Sequence, residues 1–342
     1  MHIAFTFNVR HTKPGLEKEA QEEAEFDEPS TIRAIHDAIV ANGYEVTDIE
    51  ANEDVYDTFK TLRNKIDLVF NITEGSRGEI RESQIPAMLE FLGIPYTHSG
   101  ALADAISLDK SLTKQVWQYY GLPTPRFVLV DAGKKPEITG LRFPLIVKPN
   151  GEGSSKGIFN DSLVHDSKHL FGKIRKLQKD YGGSVLVEEF LPGREFTVTV
   201  MGNPGYGRGV YVLPIVEQNY DVFPKNLQKL ASYEAKWFFE DSLDNPHDAY
   251  ICPATLRPNL QKSIQQLCIA GYNALHCRDV ARIDLRLDAT GKPHLLEINT
   301  LPGMIPDPNI VSYFPVASRA AGMNYTQMVG KIIEHARERL GI

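Results

Sequence analysis

Four polar residues on two neighbouring apolar strands are the first sign of chemistry in this chain. In LLEINTLPGM (295–304), Leu295, Leu296, Ile298 and Leu301 suit a buried strand, yet Glu297 and Asn299 stand inside the run, two positions apart. Side chains at i and i+2 of a strand share a face. In DVARIDLRLD (279–288), Arg282 and Asp284 have the same spacing. The turn ATGK, marked by Thr290-Gly291, joins the two stretches into a hairpin. If the two faces coincide, an arginine, an aspartate, a glutamate and an asparagine share one small area. A carboxylate buried there without a partner is costly. Three oxygen donors with no Cys or His suit a hard ion, and Mg²⁺ is commonly held by one or two carboxylates plus substrate phosphates. The plainer alternative is a buried salt bridge of Arg282 with Asp284 or Glu297.

Phosphates would need further partners. Lys148 ends the apolar run PLIVKP, and Lys110 follows Leu108-Asp109 at the head of a helix. GEGSSKG (151–157) lies between strands and can offer backbone N–H groups to phosphate oxygens. It is not the GxxxxGK[ST] loop, and no GxGxxG opens a helix, so a Rossmann dinucleotide site is unsupported. Taken alone, such a run is an ordinary hairpin turn. In VLVEEFLPGREF, Glu188 and Glu195 flank the exit of a strand with Phe190 and Leu191 between them. An apolar edge with free backbone can hold a purine, and a carboxylate can accept from ribose hydroxyls. The alternative is an acidic strand end facing solvent.

The elements that position these residues follow from periodicity. HIAFTFN (2–8), YEVTDIE (44–50) and IDLVFN (66–71) read as strands, with helices at about 30–42 and 53–64 between them. Pro29-Ser30 starts the first helix and Gly43 stops it. This β-α-β-α-β order implies a parallel sheet. PAMLEFLGIPYT adds a helix and a short strand by residue 97, where the first domain (1–97) ends. A helix at about 103–120, strands at 144–150, 184–191 and 194–202, and a helix at 166–180 make a second, mainly antiparallel domain (98–204). The remainder (205–342) holds VYVLPIVE, the 279–300 hairpin and helices at 257–276 and 325–340. The long acidic stretch HTKPGLEKEAQEEAEFDEPS reads as a solvated loop or surface helix; the sharper alternative is a mobile lid near a ligand site.

The 342 residues carry a net charge of −7, with 42% hydrophobic and 24% charged residues. That is an ordinary globular composition, and the acidic balance argues against a nucleic-acid partner. No apolar segment approaches the roughly 20 residues that span a bilayer, so no membrane partner is expected. MHIAFTFNVR has no signal-peptide pattern. Cys252, Cys268 and Cys277 lack metal-type spacing and read as reduced thiols, which fits a cytoplasmic location.

The order of parts resembles the ATP-grasp superfamily and, within it, the D-alanine–D-alanine ligases. The resemblance lies in LGIPYTHSGALADAISLDKSLTK (92–114), PLIVKPNGEGSSKGI (144–158), VLVEEFLPGREFTV (185–198), YEAKW (233–237), CPATL (252–256), VARIDLRLD and LLEINTLPGM. It implies an α/β (α+β) ATP-grasp fold: a Rossmann-like parallel-sheet domain before two mainly antiparallel α+β domains that clasp ATP. It also implies roles. Lys110 and Lys148 would bind ATP phosphates, Lys236 the terminal phosphate, and Glu188, Glu195 and the backbone near Phe190 and Leu191 the adenosine. Asp284, Glu297 and Asn299 would ligate two Mg²⁺ ions, with Mn²⁺ as an alternative, and Arg282 would stabilise developing charge. Ser154 and Ser155, in the flexible loop 150–157, would close over phosphate and acyl substrate. The expected reaction joins a small-molecule carboxylate and an amine, amino acids or dipeptides, through an acyl phosphate. A kinase that stops at phosphoryl transfer is the alternative. A homodimer is the assembly the resemblance suggests.

Departures from the family pattern fall on the amino-acid side. FNVRHTKPG replaces a Gly-rich loop with a substrate-binding glutamate, TEGSRGEIRESQ (73–84) replaces HG…GEDGxxQ, Trp237 stands where a tyrosine is common, and IPDPN (305–309) follows PGM. Glu74, Arg77, Glu79, Arg81, Glu82 and Gln84 thereby become candidate substrate contacts, with Trp237 and Gly303. The plainer reading of the first six is a charged loop leading into a helix.

Overall fold

The computed structural model describes residues 1–134 and 136–342, and the side chains of all of these but residues 18, 19 and 241. Its first sheet holds β1 (His2–Phe7), β2 (Glu45–Glu50) and β3 (Leu68–Asn71), all parallel in the order β2-β1-β3. β3 is buried throughout and β1 nearly so, as expected of strands covered on both faces. Helix Pro29–Ala41 buries Ile35 and Ile39 in a core with Phe5 and Phe70. The terminal helix Tyr325–Leu340 adds Ile332 and Ile333 to that same core, so the two ends of the chain are packed together. The short strand expected by residue 97 is only a single bridge, Val69 to Tyr96.

The central sheet is antiparallel, with β4 (Phe127–Val130), β5 (Leu145–Pro149), β6 (Leu163–Val164) and β7 (Val185–Glu189) in the order β4-β7-β5-β6. Helix Ser167–Tyr181 covers one face through Leu170, Ile174 and Leu177. The third sheet holds β8 (Glu195–Met201), β9 (Tyr211–Val212), β10 (Val216–Gln218), β11 (Tyr250–Ile251), β12 (Val280–Leu287) and β13 (Pro293–Asn299). Its order is β11-β10-β8-β12-β13, with β9 beside β8.

Two expectations need correction. The strand at 194–202 does not join the central sheet. Pro192-Gly193 carries the chain across, Gly193 N–H donates to the Leu287 carbonyl, and β8 pairs with β12 along its whole length. Every residue of β8 is buried, which fits a strand inside a sheet rather than at its edge. The helix expected at 103–120 is two helices, Ala101–Leu108 and Lys110–Tyr119. Asp109 breaks them: its backbone is extended, and its side chain accepts from Leu112 N–H as an N-cap.

The hairpin is in the register the chemistry requires. Arg282 lies opposite Asn299, and Asp284 opposite Glu297. A bulge then leaves Leu296 without an opposite partner, because Asp284 pairs with Glu297 and Leu285 with Leu295. Strict alternation would put Leu295 on the face of Glu297. The bulge instead turns Leu295 into the core with Ile283 and Leu285, and sets Leu296 beside Glu297 on the other side. Among the described residues no helix is long and apolar enough to cross a membrane. All three cysteines are free thiols.

Candidate active site

A cavity of about 480 Å³ separates the central sheet from the third sheet. Its floor is a three-strand ladder. Thr197, Asp284 and Glu297 lie side by side on β8, β12 and β13, and Arg282 and Asn299 form the next rung. Thr197 Oγ1 donates to Asp284 Oδ1 (2.7 Å) and Arg282 Nη2 to Asp284 Oδ2 (3.0 Å). Asn299 Oδ1 accepts from Leu301 N–H (2.8 Å). Burial pushes the Glu297 carboxyl up, but Lys110, Lys148 and Arg282 together more than reverse it and hold it below the ordinary range. The salt bridge of Arg282 with Asp284 therefore exists, within a cluster that faces open space rather than filling it.

These groups fit a hard cation. The donors are all oxygen, and they face the cavity from one side. Among the described residues no three His, Cys, Asp or Glu converge as a metal cage. A cation here would thus depend on Asn299 and on oxygens of a ligand, the pattern of Mg²⁺ bound with phosphates.

Opposite the floor, the central sheet supplies Lys148 and Glu188, diagonal neighbours on one face of β5 and β7. Lys148 Nζ lies 2.6 Å from Glu188 Oε1, and Lys114 Nζ lies 2.9 Å from Glu188 Oε2. All three side chains are at most 5% exposed. Burial raises the Glu188 carboxyl, but Lys114 and then Lys148 overcome this and bring it down to about 2. Lys110 does not line the cavity. Its Nζ donates to the Glu152 carbonyl (2.5 Å) and stands 3.8 Å from Glu297 Oε2, behind the floor. Glu195 Oε2 accepts from Tyr220 Oη (2.8 Å) and Arg286 Nη1 (2.7 Å), leaving Oε1 free. The Arg286 guanidinium lies 4.4 Å from the centre of the Phe190 ring. Phe190 N–H is committed to the Pro144 carbonyl (3.0 Å); Phe190 and Leu191 line the cavity where β7 ends.

The Gly/Ser loop folds over this space. Ser154 and Ser155 both take left-handed backbone conformations, φ 48° and 59°, uncommon for residues with a side chain. The strain is offset by contacts. Ser155 Oγ donates to the Ala231 carbonyl (3.0 Å), Trp237 Nε1 to the Ser154 carbonyl (3.3 Å), and Lys236 Nζ to Ser154 Oγ (3.3 Å). Burial and the nearby Arg282 bring the Lys236 ammonium down to about 8.

The acidic segment departs from its plainer reading. Ala24 to Glu28 form a wall of the cavity. Glu25, with a side chain only 4% exposed, accepts from Arg81 Nη2 on both oxygens (3.0 Å) and from Lys156 Nζ (2.8 Å). Lys156 also meets Glu152 (2.7 Å). The segment thereby clasps the Gly/Ser loop, and Gly153 lets Glu25 approach: a Cβ there would lie 2.1 Å from Glu25 Oε1 and displace that carboxylate from its partners. Glu25, Asp27 and Arg10 were not among the sequence candidates. The available signal was topological: they follow β1 at its carboxyl end, where ligands of open parallel sheets bind.

Of the residues at 74–84, only Glu74 lines the cavity. Arg81 is withdrawn into its pair with Glu25. Arg77 is exposed, and Gln84 Nε2 donates to the Arg77 carbonyl (2.7 Å), bracing the loop rather than facing a ligand. Glu79 is exposed and Glu82 buried behind the wall. Trp237 and Gly303 do line the cavity.

Two antiparallel sheets closing on a cavity, behind a parallel-sheet domain and under a Gly/Ser loop, define an ATP-grasp protein. The fold matches the crystal structure of D-alanine–D-alanine ligase from Bacillus anthracis complexed with ATP. The TM-score is 0.72 with 25% identity, covering 98% of this chain and 97% of that one. The family model D-ala D-ala ligase C-terminus matches residues 116–334. The D-alanine–D-alanine ligase of Pelotomaculum thermopropionicum is 33% identical over 322 residues, 91% of this chain and 92% of its own. That of Cupriavidus necator is 37% identical over 274 residues, 79% of this chain and 76% of its own. The chain belongs to the D-alanine–D-alanine ligase family.

Proposed function

We propose that the cavity is the active site of an ATP-dependent, ADP-forming ligase that joins a small carboxylate to an amine. The observation that carries this is the rung pair Arg282–Asn299 and Asp284–Glu297 facing Lys148 across the cavity. Oxygen donors on one side and an ammonium on the other are what a polyphosphate with its counter-cation requires.

In this reading Phe190, Leu191 and the free Oε1 of Glu195 take adenosine. Lys148 binds phosphates, Lys110 acts from behind the floor on Glu297, and Glu188, whose oxygens are both engaged by lysines, acts by fixing Lys148. Lys236 meets the terminal phosphate, with Ser154 and Ser155 folding the loop over it. Asp284, Glu297 and Asn299 would hold Mg²⁺, or Mn²⁺ in its place; such a cation neutralises charge on the transferring phosphoryl group. A substrate carboxylate oxygen attacks the γ-phosphorus and ADP leaves. Arg282 then faces the oxygens of the acyl phosphate. An uncharged amine attacks the acyl carbon, the amide forms, and inorganic phosphate departs with the bridging oxygen. The loop, Trp237 and the Glu25 clasp keep water from the acyl phosphate meanwhile. A kinase without an amide product is not favoured by membership of a ligase family. On the same family ground we take the working form to be a homodimer.

The test is phosphate release from Mg·ATP with D- and L-amino acids, singly and in pairs, with mass spectrometry of the products. An adduct lighter than its two parts by one water supports the reading. ATP turnover that needs a carboxylate but never consumes an amine would replace it with a kinase.

A further inference from the structure

The charges around the cavity are unevenly matched. On the floor and at the nucleotide end every carboxylate named above has a cationic partner or hydrogen-bond donors. At the end bounded by the first sheet, two do not. Glu74 and Asp27 line the cavity, and neither carboxylate takes an ion pair or hydrogen bond among the described residues. The neighbouring cations are already engaged: Arg10 pairs with Glu28, and Arg81 and Lys156 with Glu25.

The topology puts these two acids at a place built for a ligand. In the order β2-β1-β3 the chain direction of growth reverses between β1 and β3, and the loops leaving the carboxyl ends of such a pair diverge to leave a crevice. Asp27 belongs to the loop after β1 and Glu74 to the loop after β3, so the crevice opens between them. Two carboxylates facing one crevice suit an organic cation, whose ammonium or guanidinium N–H groups can reach both.

We infer that the crevice between Asp27 and Glu74 selects an amino-acid substrate with a cationic side chain, a basic amino acid rather than a neutral one such as alanine. The inference rests on the ligase reading of the cavity and specifies its substrate class. The charge count carries it: the α-ammonium of any amino acid can meet one of the two acids while its α-carboxylate lies towards Arg282, and the second acid is left unpaired. A dibasic amino acid brings a second cation for the second acid. Burial raises Asp27 to about 7 and, with Glu82 and Glu25 nearby, Glu74 well above the carboxylate range, so each acid tends to keep its proton until a cation arrives to pair with it.

The experiment is calorimetric titration of the full chain, with Mg²⁺ and a non-hydrolysable ATP analogue, by lysine and by norleucine, each as D and L enantiomers. Norleucine matches the lysine chain but lacks the second ammonium. One enantiomer of lysine is expected to bind about tenfold or more tightly than its norleucine counterpart, the size of a charge-assisted contact. Glu74→Gln combined with Asp27→Asn should collapse that ratio towards one. Norleucine binding as tightly as lysine, no binding of either lysine enantiomer, or a ratio untouched by the double variant would each overturn the inference. The wild-type comparison stands even if the variants fold poorly. Turnover in the same mixtures separates this idea from the one beneath it. A lysine preference without any product removes the ligase reading and leaves the crevice; an amide product made equally well from neutral amino acids does the reverse.

Discussion

The two ends of the cavity solve the problem of buried charge differently. At the nucleotide end Lys114, Glu188 and Lys148 form a closed ionic set, and Glu297 sits between Lys110, Lys148 and Arg282. At the other end Glu74 and Asp27 wait without partners. The first arrangement is preformed, as the proposed cradle for phosphates requires. The second leaves its compensation to whatever enters. On the proposed reading, this division lets the nucleotide chemistry stay fixed while the substrate end varies.

The sharpest way to break the comparison is to make the same change at both ends. Glu188→Gln strands two buried ammonium groups and should cost about 3–5 kcal/mol in urea unfolding. Glu74→Gln removes an uncompensated carboxylate and should leave the urea midpoint unchanged or higher at pH 8. The pH dependence has opposite signs at the two ends. The folded Glu188 carboxyl is depressed to about 2, so its contribution is present above its unfolded value and is lost as pH falls through about 2. Asp27 is raised to about 7 and Glu82 to about 8, so the folded state holds their protons longer, and stability falls as pH rises towards 8.

Next in size is the floor. Asp284→Ala should lower ATP turnover about 10²–10³-fold in a steady-state ADP assay, the usual cost of losing one preorganised electrostatic group. The fold should survive, because Asp284 faces open space. Undiminished turnover would remove the floor from the mechanism. Lys236 gives a smaller, pH-dependent effect. With its ammonium brought down to about 8, kcat/KM for ATP should fall above pH 8, and Lys236→Arg should move that limb beyond the alkaline range. Smallest is Arg77→Ala, expected to change stability by less than about 0.5 kcal/mol and kcat/KM by less than about twofold, since the side chain is exposed and outside the cavity.

The same division explains what was legible in the sequence. The floor could be read because a strand period of two puts Arg282 with Asp284 and Glu297 with Asn299, and a short turn fixes the hairpin. The Leu296 bulge could not, since nothing in LLEINT distinguishes a bulged from a regular strand. Strand existence was legible for β8, but its sheet was not; Pro192-Gly193 reads equally as a hairpin turn and as a crossing. The substrate end was least legible. Glu74 could be named as a candidate from its loop, but Glu25 and Asp27 lie far before it in sequence and join it only because β1 and β3 are adjacent. An acidic stretch reads as solvated when nothing local shows that Arg81 and Lys156 are waiting for it.

One measurement tests the central claim most directly. Oxygen-18 would be placed in the carboxylate of the amino acid that the wild-type chain turns over with Mg·ATP, and the released phosphate weighed. If the carboxylate attacks the γ-phosphorus and the amine then displaces phosphate, each phosphate released carries one carboxylate oxygen, and the label appears there in step with the amide product. Phosphate released without label, while amide accumulates, would contradict an acyl phosphate formed in this cavity.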